Sequence, residues 1–307
     1  MDKYSFEILT LLKEQFEKQV GKKEFQLKES GTSISPRQFY LQKLEDNLFK
    51  ETISQKTRSQ YEKGSGNELN DKMKALRSSS AMTYNLLGDD TINMLGDCRI
   101  GQGKYHITYE YKLRTLNQGV PANLDAFLYC DDTKEAVACE MKMSEWLFNS
   151  PCKLKDAYLD FNKYMMDAKN ANVFIQVAKS LIKSYEDDKY NSCLNRYDAF
   201  QMLKHSIALY NECNKKETDI KKLTLVNCVW EPDFVDSLST LYQEKYKAAL
   251  KNEHDEFDVF YKAMQPVKGL FEAIGVDFDI CYYSLSDFMK IIKLSDDRRK
   301  YLRRYNK

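Results

Sequence analysis

The chain has 307 residues, 43% hydrophobic and 13% aromatic, enough apolar side chain to bury the core of one large domain or two modest ones. It contains no run of about 18 apolar residues to span a bilayer, and the charged opening Met1 to Lys23 lacks a signal peptide's apolar centre, so a cytoplasmic protein without a membrane partner is expected. With 47 basic and 46 acidic residues, net charge +1, composition does not by itself announce nucleic acid.

Phe6, Leu9, Leu12, Phe16 and Val20 recur at three and four residues and predict an amphipathic helix. Ser35, Pro36 and Gln38 read as the capped start of a second, with Leu41, Leu44 and Leu48 as its apolar stripe. Residues 55–67 are polar and contain Gly64-Ser65-Gly66, the composition of a flexible connection, so a boundary is placed there, closing a helical N-terminal extension over residues 1–60. Leu69, Met73, Leu76, Ser80, Tyr84 and Leu87 predict a helix over residues 67–87, ended by Gly88.

Three extended stretches follow, at 105–114, 122–130 and 135–143, rich in aromatic, branched and small apolar residues. The charged and aromatic stretch 146–196 reads as a partly helical insertion, followed by a helix over 197–210 and a strand over 223–230. The order helix, three strands, helix, strand predicts an α/β sandwich over residues 61–235, a mixed sheet flanked by helices, and residues 236–307 read as mostly helical.

Several features carry little chemistry. The eight cysteines form no short-spaced pairs, so they are read as reduced core residues and no zinc is expected. Gly101-Gln102-Gly103 lacks the third glycine and the lysine of phosphate-binding loops. No nucleophile elbow surrounds Ser78 to Ser80, which suit close helix packing or a phosphate contact. The six cations of residues 298–307, with Tyr301 and Tyr305 between them, fit either a phosphate-touching tail or a solvated helix end. His106 and His254 receive no role, and a lone His205 on a helix is more often a satisfied partner than a catalyst.

One constellation stands out. Strand alternation puts Glu140 and Lys142 on one face and Cys139 and Met141 on the other. If Asp132-Thr133 centres a hairpin turn, Asp125 falls opposite Glu140. Facing carboxylates repel, and a divalent cation relieves that repulsion; magnesium, which takes hard oxygen ligands, would find them in Asp125, Glu140 and the Met141 carbonyl. Lys142 would then orient a water and counter phosphoryl charge. A cross-strand salt bridge, with Lys142 neutralising both acids, explains the same spacing.

Pro121 to Asp125, the short hairpin and Cys139-Glu140-Met141-Lys142 resemble the PD-(D/E)XK nuclease signature, although Ala122, Asn123 and Leu124 separate the proline from the aspartate. Gly64 to Leu69, Ser78 to Ala81 and Tyr197 to His205 are similar to a bacterial restriction-endonuclease-like branch of that superfamily, so the likeness covers about residues 64–230. The resemblance implies an α-β-β-β-α-β core and DNA phosphodiester hydrolysis with Mg2+, or Mn2+ as a substitute. It implies Asp125 and Glu140 as metal ligands and Lys142 as the lysine that assists the attacking water. Glu68 is the candidate for a further acid on the first core helix, and an ordinary first-turn glutamate is the equal alternative. Gln201 and Lys204, on one stripe of the later helix, are candidates to support phosphate or metal waters, with a solvated face as the alternative. DNA is the expected partner, in restriction or another defence role, and a homodimer would suit palindromic cutting. The competing reading is a catalytically inactive nuclease-like module that binds DNA or protein.

Overall fold

The computed structural model describes residues 3–26, 37–50, 52–64, 67–147, 152–215 and 217–306. Helix α1, Lys3–Val20, forms where the apolar spacing predicts it and buries Tyr4, Ile8, Leu9, Leu12 and Phe16, whereas Phe6 stays exposed. The predicted start at Ser35 and Pro36 lies outside the described residues. Beyond it no regular helix forms: short 3-10 turns at Arg37–Phe39 and Glu45–Asn47 carry Leu41, Leu44 and Leu48 into the core. Tertiary bridges take the backbone instead, Phe25 pairing with Leu41 and Tyr40 with Ala75.

Helix α2, Gln55–Glu62, occupies most of the segment whose composition predicts a flexible connection. Ser54 caps it by accepting from the Thr57 amide at 3.2 Å, and Tyr61 is buried in the same apolar cluster as α1. The helix predicted over residues 67–87 is broken. A turn and a 3-10 segment, Lys72–Lys74, precede α3, Ser79–Leu87, which is capped by Ser78 and ends at Gly88 with φ 90°. Asn47 causes the break by donating to the Met73 and Ala75 carbonyls at 2.6 and 2.9 Å, oxygens that a continuous helix would use itself.

Strands β1, Thr91–Met94, β2, Gly103–Leu113, β3, Ala122–Cys130, and β4, Glu135–Lys142, form an antiparallel meander. The segment 146–196 is helical in part, as its sequence suggests, and also contains strands that its sequence does not announce. It holds β5, Lys153–Lys155, α4, Ala168–Ser180, β6, Ile182–Glu186, and β7, Lys189–Ser192, whose strands make a separate sheet in the order β5-β7-β6. Helix α5, Ala199–Cys213, then leads into β8, Lys222–Val229, which runs parallel to β4. Helices α6, Thr240–Ala263, and α7, Gln265–Ala273, precede β9, Asp277–Ser284, which is parallel to β8, and α8, Leu285–Lys290, and α9, Asp296–Leu302, follow. β1 and β9 are edge strands that the sequence does not announce, and the main sheet reads β1-β2-β3-β4-β8-β9.

Apolar clusters cover both faces of this mixed sheet. Ile107, Leu128, Val137, Cys139, Val226 and Cys281 pack with α1 and α3, while Phe127, Ala136, Ala138, Leu225 and Ile280 pack with α4, α5 and α7. The predicted α/β arrangement, a mixed sheet flanked by helices, is present. Five cysteines are buried, but Cys98 and Cys193 are exposed.

Part of the basic C-terminal run is built into the protein, whereas Arg299, Lys300 and Arg303 stay exposed. Arg304 is fully buried, donating to the Asn47 carbonyl at 3.2 Å and its Oδ1 at 2.5 Å, with its guanidinium over the Phe16 ring. The Tyr305 carbonyl accepts from Trp230 Nε1 at 2.8 Å, and Arg298 Nη1 donates to the Leu87 carbonyl. No helix among the described residues is long and apolar enough to cross a membrane.

Candidate active site

The site begins with hairpin register. Cys130 pairs with Glu135 across a four-residue loop, and Ala126 with Cys139, so the next step of the same ladder sets Asp125 beside Glu140. The loop is longer than a two-residue turn but is centred on the same Asp132-Thr133, which preserves the predicted register. Regular pairing stops at Ala126, and there Asp125 Oδ2 accepts from the Met141 amide at 2.7 Å. In an extended strand one residue's N–H and C=O point to the same side, so the Met141 carbonyl also faces the parted edge of β3.

The alternation of faces also breaks at this point. Ala126 packs with α1 and α3, but Leu124 belongs to the opposite cluster; Tyr109 and Tyr111 divide in the same way on β2. Between the latter two, Glu110 has a φ of 51°, a left-handed backbone that costs energy for a side chain of this size. Glu110 lies across from Asp125, between the pairs Tyr109 with Ala126 and Tyr111 with Leu124. Three carboxylates, Glu110, Asp125 and Glu140, thus stand on adjacent strands.

Glu140 is buried and well supplied with partners. Gln201 Nε2 donates to its Oε1 at 2.7 Å, Lys142 Nζ lies 3.0 Å from the same oxygen, and His205 Nε2 lies 3.0 Å from Oε2. Lys142 Nζ also donates to Gln201 Oε1 at 2.5 Å, so one amide clamps both members of the strand pair. A carboxylate only accepts, so His205 Nε2 carries the proton, leaving Nδ1 buried without a partner. Burial works to raise the Glu140 carboxyl, but the charge of Lys142 and the hydrogen bond from His205 outweigh it and hold the group down at about 2. Burial lowers the Lys142 ammonium, and the charges of Glu140, Asp198 and Glu145 reverse the effect and leave it raised.

Asp125 differs. Enclosure by the protein and then the charge of Glu140 push its carboxyl well above the ordinary range, against the opposing Met141 hydrogen bond. Burial and the charge of Glu68 raise Glu110 to about 7, with the Asn123 side-chain amide, which donates to it, pulling the other way. Crowded, desolvated carboxyls thus gather on the Asp125 side of the site, where Lys142 is committed to Glu140 and Lys72 to Glu68.

Glu68 does not sit on a core helix, because the helix begins at Ser79. It occupies the turn before Lys72–Lys74, is buried, and accepts from Ser80 Oγ at 2.8 Å and pairs with Lys72 at 2.9 Å. It therefore neighbours the site through Glu110. Ser80 fastens Glu68 and Ser78 caps α3, which gives the serine run its structural use. Lys204 lines a cleft beside Gln201 and His205 and makes no ion pair among the described residues.

The structure thus brings together Asp125, Glu140, Lys142 and Gln201. Sequence reasoning gives no place to Glu110 and leaves His205 without a role. No local signal marks the first, because β2 alternates polar and apolar residues and Glu110 falls in its polar register with Lys104, His106, Thr108 and Lys112; the second shares the helical stripe of Gln201. Among the described residues no group of three His, Cys, Asp or Glu side chains is set as a metal cluster. No protein-family model, curated protein or solved structure matches this chain.

Proposed function

We propose that this chain is a metal-dependent endonuclease with a restriction-endonuclease-like PD-(D/E)XK core, hydrolysing DNA phosphodiester bonds, with restriction or another defence as its setting. The observation that carries the reading is the parted β3–β4 ladder. It leaves Asp125 and the Met141 carbonyl outside the regular ladder at the point where Glu140 and Lys142 are clamped by Gln201.

The donor set suits Mg2+, with Mn2+ as a substitute. Asp125 spends one oxygen on Met141, Glu140 Oε2 has one partner where a carboxylate oxygen takes two, and the raised Asp125 carboxyl marks repulsion that a cation would relieve. A divalent ion bound there supplies Lewis acidity and lowers the pKa of a ligated water. The protein's own part is positional. Lys142 stays protonated beside Glu140 and stabilises charge as water adds to phosphorus and a P–O ester bond breaks, leaving a phosphate monoester and a hydroxyl end. Gln201 and His205 fix Glu140, while Glu110 and Glu68 extend the acidic side.

Purified protein with Mg2+ or Mn2+ is expected to nick or cut plasmid, single-stranded or branched DNA, with Asp125→Ala and Lys142→Ala inactive. Absence of cleavage on all three substrates, or equal cutting by the variants, sinks the assignment.

One observation favours a second reading, an inactive nuclease-like module that binds DNA or protein: Lys142, Gln201 and His205 already satisfy Glu140 without any ion. Calorimetry without DNA separates the two. A nuclease site takes up Mg2+ or Mn2+ and loses it in Glu140→Ala; a binding module takes up none.

A further inference from the structure

A cleft of about 660 Å3 opens beside Gln201 and His205, between the small sheet of the insertion and the loop of residues 115–121. Five lysines line it, Lys153, Lys155, Lys163, Lys189 and Lys204, and no Asp or Glu does. In a chain of net charge +1 that segregation is uneven, and the local geometry makes it costly.

Leu154 is buried, so Lys153 and Lys155 on either side of it in β5 project away from the core. Lys155 stands directly opposite Lys189 in the β5–β7 pairing, where like charges destabilise a sheet. Glu186 faces Lys189 from β6 on its other side. Even so, Lys155, Lys163, Lys189 and Lys204 form no ion pair among the described residues, and Lys153 reaches only the exposed Asp187, at 3.7 Å. Other acids of the insertion are used within it: Asp156 accepts from Tyr185 at 3.2 Å, and Asp160 from the Asn162 amide at 3.0 Å.

Helix α5 joins this surface to the candidate site. Gln201, which touches Glu140 and Lys142, lines the cleft, and Lys204 follows one turn later. Basic side chains therefore start at the site and continue outward over a separately built wall. Ammonium groups on flexible stems suit point contacts with successive phosphates and carry no base information.

We propose that this cleft holds the phosphodiester backbone of a nucleic-acid strand beside its scissile phosphate, and that the insertion between β4 and α5 supplies the grip. The proposal rests on the nuclease reading of the site for the strand's orientation. It stands on the cleft itself for the binding.

The test is fluorescence anisotropy of labelled single-stranded and duplex oligonucleotides in EDTA, so that no cleavage intervenes. Wild type is compared with Lys155→Gln/Lys189→Gln and with Lys251→Gln/Lys262→Gln on α6 as a distant control. The cleft variant is expected to bind about tenfold more weakly, with a slope of log K against log salt smaller by about 1.4 to 1.8 for two lost phosphate contacts. Its Tm is expected to hold or rise, since a cross-strand repulsion is removed. Undetectable wild-type binding, unchanged affinity in the cleft variant, or an equal loss in the control overturns the proposal. Cleavage keeps the two readings apart. A cleft variant that binds like wild type while Asp125→Ala abolishes cutting removes the cleft and leaves the nuclease. Lost binding in a protein that cuts nothing removes the nuclease and leaves the cleft as a nucleic-acid surface.

Discussion

Glu140 and Asp125 are neighbouring carboxylates in opposite electrostatic states, and their partners account for the difference. Lys142, His205 and Gln201 gather on Glu140, while Asp125 receives a single backbone amide and faces Glu110 and Glu140. Gln201 acts through both members of the strand pair, so Gln201→Ala is expected to weaken Mg2+ or Mn2+ binding by about 10- to 100-fold, the usual consequence of losing a group that orients a metal ligand. Calorimetry on the folded variant reads this directly, and unchanged affinity would count against the clamp. The placement of Asp125 beside Glu140 is legible in the sequence because antiparallel register follows from the position of a short turn. Glu110 is not, because its role depends on a left-handed residue that no local signal requires.

Among the elements, α5 is the one that completes the site. Asp198 caps it by accepting from the Gln201 amide at 2.9 Å, so the residue that clamps Glu140 and Lys142 is anchored at its backbone by the helix start. Asp198→Ala is expected to cost about 1 kcal/mol in urea unfolding. It is also expected to weaken metal binding, whereas a cap with no bearing on the site would change stability alone. The strands 122–130 and 135–142 emerge close to their predicted limits because aromatic and small apolar residues fill both faces of a central sheet. Helices fare less well where polar tertiary contacts compete. The periodicity of residues 67–87 is real, yet Asn47 takes two carbonyls from the middle of it.

At the scale of the whole molecule, the C-terminal run closes one face of the sheet. Arg304 crosses to Asn47, whose side-chain amide holds the broken helix, and Tyr305 links Trp230 to Asn85. Arg304→Ala is expected to lower stability by about 3 kcal/mol, because it strips buried acceptors of their donor as well as removing packed side chain. Chemical denaturation measures the loss, and a change within about 0.5 kcal/mol would show that the tail is dispensable. This charge run reads as solvated on composition alone, and only the distant positions of Asn47 and Phe16 reveal that its Arg304 is buried while Arg299, Lys300 and Arg303 stay exposed.

Local physics settled the α/β order, the hairpin register and the shared face of Glu140 and Lys142, since each depends on alternation, turn position or apolar spacing within a few residues. The edge strands, the broken helix, the small sheet of the insertion and the meeting of Gln201 with Lys142 came from the folded chain. They depend on contacts between residues far apart in sequence, such as the 59 positions that separate that last pair. The lysine-lined cleft belongs to the same group: its walls come from three segments that become neighbours only once the insertion folds against α5.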